Sequence, residues 1–295
     1  MTMKGRTSRR FFAAAILMFI LLLSGAHSIF AAEIKDSSGN SETSKITAPQ
    51  ETQLTEKQLA RLKRANTWEK KDGYYYYYNN KGRKVTGMVK IRKRTFLFDS
   101  RGRQQVGWQK VGKSYYYFRI KGIGKYAYMV KNKTVNGIYL RKNGKAKVSN
   151  PTRMAMLWKC SQIVESHTKP TWSKGEKMSA IWSWMQSNVG YWDVKFHHFD
   201  GWGLYYANHT FANNGGSCEG LGCIWAFLAN ACGANSCECV ASGGHGWAEV
   251  DGLVYDPACA RYMRNPGNYY ACPLSLSGIG GRPKYAGNGI YRERV

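Results

Sequence analysis

Cys218, His245 and Asp256 are the residues of this chain whose types could act together as a nucleophile system. A thiol can attack a carbonyl, an imidazole can carry the proton, and a carboxylate can orient and steady the ring. Each stands in a context that suits its task. Cys218 follows Gly215-Gly216-Ser217, His245 opens His245-Gly246-Trp247, and Asp256 sits in Tyr255-Asp256-Pro257. A single buried cysteine on a helix is ordinarily a small apolar residue. The conjunction of all three points to chemistry.

The elements that must position them can be read from spacing. Gly215 and Gly216 free the backbone for a sharp turn. Leu221, Ile224, Trp225 and Leu228 then recur at helical spacing, and Gly233 stands where a helix stops. Cys218 is thereby placed in the first turn of a buried helix. Such an end favours a thiolate and offers unpaired N–H groups to an oxyanion. Asp251-Gly252 between two apolar runs predicts a two-residue hairpin. In that register Val250 faces Leu253, Trp247 faces Asp256 and His245 faces Ala258. His245 and Asp256 become diagonal neighbours on one face, about 7–8 Å apart at the backbone. A slip of one residue would separate them.

These motifs resemble the transglutaminase-like superfamily, a papain-related cysteine fold. The likeness spans residues 152–262 and rests on Gly216-Ser217-Cys218, the helix to Gly233, a strand at 237–241, His245-Gly246-Trp247 and Asp256-Pro257. Residues 177–191 resemble that family's upstream helix ending in Asn-x-x-Tyr. The resemblance implies an α+β fold: a papain-like transglutaminase core with the nucleophile helix packed on an antiparallel sheet. It implies Cys218 as nucleophile, His245 as general acid/base and Asp256 as orienting carboxylate, with no cofactor and no metal. A side-chain oxyanion donor could be Tyr191, Trp192 or an aromatic among residues 202–206. A wall peptidase of the Asp-Cys-Ser-Gly type is disfavoured, because Ser217 precedes and Glu219 follows the cysteine. Residues 262–295 match no part of the pattern.

Ahead of this region the chain changes character. Lys4, Arg6, Arg9 and Arg10 precede an unbroken apolar run at 11–23, followed by small residues. Residues 1–28 read as a signal peptide cleaved after Ala26 or Ser28. That segment is the sole expected membrane contact. Residues 29–66 read as a flexible linker rich in Ser, Thr, Glu and Lys, with a short helix at 55–65.

Residues 67–148 repeat with a period near twenty. Trp68, Met88, Trp108 and Met129 open the units, and Gly82, Gly102, Gly122 and Gly144 mark a later common point. Each unit reads as a two-stranded hairpin, too small to stand alone, so neighbours must stack into a solenoid. The pattern resembles the cell-wall-binding repeats of choline-binding and glucan-binding surface proteins of Gram-positive bacteria, the fourth repeat being degraded. The resemblance implies wall contact through Trp68, Tyr75, Tyr77, Phe96, Phe98, Trp108, Tyr115 and Tyr117. The alternative for these rings is hairpin core.

Charge divides the chain sharply. Residues 68–148 hold 22 Lys and Arg against 3 Asp and Glu, whereas residues 149–295 hold 12 against 10. A basic, aromatic-rich surface attracts polyanions at long range. The expected partner of residues 67–148 is a cell-wall glycan or an anionic wall polymer, with no specific nucleic acid. Choline ranks lower, because a positive surround repels a cation.

All eight cysteines fall at or beyond residue 160. Export would permit disulfides, yet a free Cys218 leaves seven others and an odd thiol. Cys237, Cys239, His245 and Cys259 lie near one another in sequence, but their spacing fits no common zinc pattern. Residues 149–295 are therefore read as a catalytic domain acting on amide bonds of a protein or peptide, by hydrolysis or crosslinking. The expected location is extracellular, secreted or wall-associated. The alternative is a non-catalytic wall-binding or adhesive protein carrying an inactive copy of the fold.

Overall fold

The computed structural model describes residues 54–242, 244–279, 284–285 and 289–295. The expected signal peptide and most of the linker lie outside the described residues. Helix α1, Glu56–Lys63, follows Thr55, whose side chain and Gln58 form a reciprocal capping box. Among the described residues no helix is long and apolar enough to cross a membrane.

Four small antiparallel sheets come next. β1 (Trp68–Lys71) pairs with β2 (Tyr74–Tyr77), β3 (Gly87–Ile91) with β4 (Arg94–Phe98), and β5 (Gly107–Val111) with β6 (Ser114–Phe118). The fourth unit departs from the two-stranded pattern. β7 (Lys133–Val135), β8 (Ile138–Leu140) and β9 (Ala146–Lys147) form a three-stranded sheet. The first turn, Asp72-Gly73, has φ of 52° and 82°, the left-handed pair that a tight hairpin requires. Stacking is carried by the backbone. Gln104 N–H donates to Tyr75 O and Met129 N–H to Thr95 O, both at 2.8 Å, so each junction ties back to an earlier hairpin.

The C-terminal region interleaves helices with one larger sheet. Helix α2 (Pro151–His167) starts at Asn150, whose side chain accepts from Arg153 N–H. Helix α3 (Lys174–Asn188) opens with a Ser173/Glu176 capping box. β10 (Gly190–Tyr191) pairs in parallel with β11 (Gly215–Gly216), and helix α4 (Trp202–Ala212) lies between them in sequence. Helix α5 (Cys218–Cys232) ends at Gly233 with φ of 102°. β12 (Cys237–Ser242), β13 (His245–Val250) and β14 (Leu253–Tyr255) follow, then helix α6 (Pro257–Tyr262), β15 (Cys272–Pro273) and β16 (Tyr291–Arg294). The sheet order is β15-β14-β13-β12-β16, antiparallel throughout. α5 is buried along nearly its whole length and packs against β12 and β13.

The hydrophobic core does not stop at residue 148. Trp108, Ile138 and Leu140 belong to the same buried cluster as Leu157, Ile224 and Phe227. Trp108 N–H donates to Ser161 Oγ at 3.2 Å, and Asn136 donates to Asn230 at 2.9 Å. The later hairpins therefore share their interior with the helices that follow. Hairpins of this size bury too little on their own, and α2 supplies the missing apolar surface.

Candidate functional site

Two glycines set the distance between α5 and the strand beside it. A Cβ on Gly222 would lie 2.6 Å from the Trp247 backbone, and one on Gly246 would lie 2.3 Å from Glu219 Cα. Helix and strand thus meet backbone to backbone, which only glycine permits. The contact brings the first turn of α5, bearing Cys218 and Glu219, alongside His245 at the start of β13.

The hairpin register is as the spacing predicts: Val250 pairs with Leu253 and Ala248 with Tyr255. The pairing then stops. Asp256 is the N-cap of α6 and its Oδ1 accepts from Cys259 N–H at 2.9 Å, so His245 does not face Ala258 across a ladder. The reason is local. Pro257 cannot donate to a ladder and its fixed φ suits the first helical position, while Asp is a preferred N-cap. The convergence survives because Oδ2 of the same carboxylate turns back to His245 Nε2 at 2.7 Å.

Asp256 is completely buried and carries a third partner. Tyr285 Oη donates to Oδ2 at 3.0 Å, and its ring packs against Trp247 with centroids 5.2 Å apart. Tyr285 lies in the Gly-rich tail, where sequence reasoning found no role. No local signal marks it, since its partner lies 29 residues earlier.

Electrostatics follow from these contacts. Burial by itself would lower the His245 pKa. The hydrogen bond with Asp256, then the neighbouring Cys218 and Cys259 thiols, outweigh it, and the value is raised far above its ordinary 6.5. Burial would raise Asp256, but the bond to His245 and its charge hold the carboxyl below 3.8. Both shifts favour the imidazolium–carboxylate form of the pair. Nε2 faces Asp256, with Cys259 Sγ at 3.8 Å. Burial pushes the Cys259 thiol up.

Cys218 Sγ contacts Glu219 Oε2 at 3.4 Å and Gly244 O at 4.0 Å. Ser217, the N-cap of α5, makes no side-chain cap, and its buried hydroxyl has no partner. The first N–H groups of α5 are thus not claimed by a capping side chain. Of the aromatics weighed as oxyanion donors, Tyr191 is held next to Gly216 by β10 and β11. Its pKa is pushed up to about 12 by burial, then by Cys218 and Asp193. Trp192 packs on Gly215. Tyr206 is committed elsewhere, to Lys195 O and His197 N–H.

His245, Asp256 and Cys259 offer three ligand atoms within 4.8 Å of one another. Cys237 and Cys239 do not join them, so the four-residue zinc grouping does not assemble among the described residues. All eight cysteines are buried free thiols.

The aromatics expected at the wall divide into two kinds. Phe96, Phe98 and Trp108 are each 2% exposed and belong to the interior, so their expected surface role is corrected. The hairpins have little else to bury. Tyr117 packs on Trp108 at 5.2 Å and Tyr115 on Trp158 at 6.0 Å. Trp68, Tyr75 and Tyr77 are half-buried. Trp68 and Tyr77, with one edge of Phe96, line a groove of about 1130 Å³ rimmed by Lys90, Arg92 and Lys125.

No family model matches this chain, and no curated protein does. Solved structures similar to it include the choline binding domain of Spr1274 in Streptococcus pneumoniae, at 25% identity and a TM-score of 0.24, covering 28% of this chain and 93% of that one. The choline-binding domain of CbpL from Streptococcus pneumoniae is similar at 22% identity and a TM-score of 0.24, over 29% of this chain and 44% of that one. A multimodular pneumococcal cell wall endolysin from phage Cp-1, complexed with choline, is similar at 22% identity and a TM-score of 0.24, over 28% of this chain and 24% of that one.

Proposed function

We propose that this chain is an extracellular, wall-associated protein whose hairpin repeats hold a cysteine acyl-transfer centre at the cell envelope. The observation that carries the catalytic half is the buried Asp256 carboxylate on His245 Nε2 at 2.7 Å, on the strand that meets the helix turn bearing Cys218 backbone to backbone. The wall-binding half is supported by stacked hairpins with a heavy excess of basic side chains.

In the proposed reaction the Cys218 thiolate, with the proton held on His245, attacks an amide carbonyl, and N–H groups at the start of α5 receive the oxyanion. His245 gives a proton to the leaving amine, and a thioester remains on the sulfur. Water or a second amine then attacks the thioester, losing a proton to His245 as the sulfur leaves as a thiolate. Asp256 keeps the ring oriented and balances its charge. The transglutaminase-like resemblance belongs to this proposal, as does a protein or peptide substrate.

A second reading, a wall-binding or adhesive protein with an inactive centre, is favoured by one contact. Cys218 is buried and its sulfur is engaged by Glu219 within the fold. Brief iodoacetamide treatment of the full chain, followed by peptide mapping, separates the two. The catalytic reading expects the first adduct on Cys218, lost in Cys218→Ala and slowed in His245→Ala. Uniformly slow labelling of all eight thiols supports the second reading. Retention on purified walls tests the other half, and binding indifferent to salt would point to a neutral glycan in place of a polyanion.

A further inference from the structure

We infer that the hairpin segment carries a built site for phosphate-type anions, in a groove between the second, third and fourth repeats. It rests on the wall-binding half of the proposed function and names the chemistry recognised. The groove encloses about 520 Å³, and Lys93, Arg94, Arg119, Lys131 and Lys133 all line it. No carboxylate lines it, and among the described residues none of these five side chains forms an ion pair. Five uncompensated cations around one cavity repel one another, and a bound anion is the partner that relieves the repulsion.

Two of the cations are held in place. The Arg94 guanidinium lies 4.3 Å from the Tyr128 ring centroid and the Arg119 guanidinium 5.1 Å from it. Arg119 also donates to Tyr128 Oη at 2.7 Å, and Arg94 to Lys125 O at 3.1 Å. A guanidinium fixed in this way presents its remaining N–H groups as a fork suited to phosphate oxygens. Lys93, Lys131 and Lys133 are exposed and add mobile charge around the fork.

The same arrangement selects among polyanions. Tyr128 is the one aromatic lining the groove, and guanidinium groups pack on it. Nucleic-acid grooves couple charge with free aromatic faces for base stacking. Here the faces are taken, so the ligand is a phosphodiester polymer without bases, of the polyol phosphate kind. A quaternary ammonium is repelled by the same five charges.

The test uses the full chain and synthetic poly(glycerol phosphate) of defined length. Lys93→Gln/Lys131→Gln/Lys133→Gln removes three exposed charges at the groove, and Lys142→Gln/Lys145→Gln/Lys147→Gln removes three exposed charges elsewhere on the repeats. Long-range charge falls equally in both. The groove variant should bind at least about tenfold more weakly and lose about 2 from the slope of log affinity against log salt, with the control variant close to the parent. Equal weakening of both variants overturns the site in favour of diffuse attraction. Tighter binding of a single-stranded oligonucleotide of equal charge, or displacement by choline, overturns the assigned chemistry. Co-sedimentation with purified walls is measured in parallel. Wall binding that persists unchanged in the groove variant overturns the site while leaving the wall-binding reading intact.

Discussion

The hairpin segment and the Cys218 centre deploy ionisable groups in opposite ways. In the hairpins the interior is aromatic, and nearly every cation stands outside. Several lie over the chain's own rings, with Lys84 above Tyr76 and Arg103 above Tyr74. In the C-terminal region the exposed charge is nearly balanced, while Cys218, Glu219 and Asp256 are all buried against one helix and one sheet. The first surface acts through the sum of many replaceable charges. The second depends on a few groups, each needing the others in place. Loss of one cation among many is diluted by solvent, whereas loss of one buried partner leaves a desolvated charge behind.

Substitutions can break that contrast, and the largest effect is expected at the buried acid. Asp256→Ala leaves the His245 imidazolium, Tyr285 Oη and Cys259 N–H without their acceptor, and should cost about 3–5 kcal/mol in urea unfolding. A loss no greater than that of an exposed aspartate would erase the distinction between the regions.

The pH dependence sharpens the same point. The raised His245 pKa contributes stability that is complete below the unfolded value near 6.5, and the contribution declines as pH rises toward the folded value. The depressed Asp256 pKa contributes stability present above 3.8 that is lost as pH falls toward its folded value. Imidazole nitrogen shifts from nuclear magnetic resonance should report His245 still protonated at pH 8, and Asp256→Asn should lower its pKa. An imidazole already neutral at pH 7 in the parent contradicts the ion pair.

Gly246→Ala comes next in size. Its new methyl group meets the Glu219 backbone, so α5 must lift from β13 at a cost of about 1–3 kcal/mol. Labelling of Cys218 should change with it, because the shift falls between sulfur and ring. Tyr285→Phe removes one hydroxyl while keeping the ring against Trp247, and about 1–2 kcal/mol of stability should go with the bond. The smallest effect belongs to the hairpins: Lys84→Gln should change stability by no more than about 1 kcal/mol, because its cation sits over an aromatic ring at an exposed position. A hairpin cation that costs as much as Asp256 would overturn the comparison from the other side.

How much of this was legible in the sequence follows from the range of each signal. The hairpins repeat at short period and close through Gly-bearing turns, so their strands could be placed by inspection. Helix α5 was bounded by its own glycines, and Asp251-Gly252 fixed the register of β13 and β14. The His245–Asp256 contact was foreseen, but its geometry was not. A strand was extended through Asp256, where Asp-Pro in fact starts α6. Three aromatics assigned to the surface are core, because a hairpin array recruits rings inward before it can display them. The shared interior around Trp108 and the Tyr285 bond join residues far apart in the chain, and no local pattern encodes either.

The Tyr285 hydroxyl has a consequence for the order in which the molecule can be completed. Every hairpin, α5 and the hairpin bearing His245 precede it on the nascent chain, yet Asp256 gains its third donor only when residue 285 has emerged. Until then the acid is incompletely satisfied and β12 lacks its outer neighbour, β16. A ribosome-bound or truncated chain would thus display finished hairpins beside an unfinished Asp256 contact network, so the basic surface matures ahead of the buried acid.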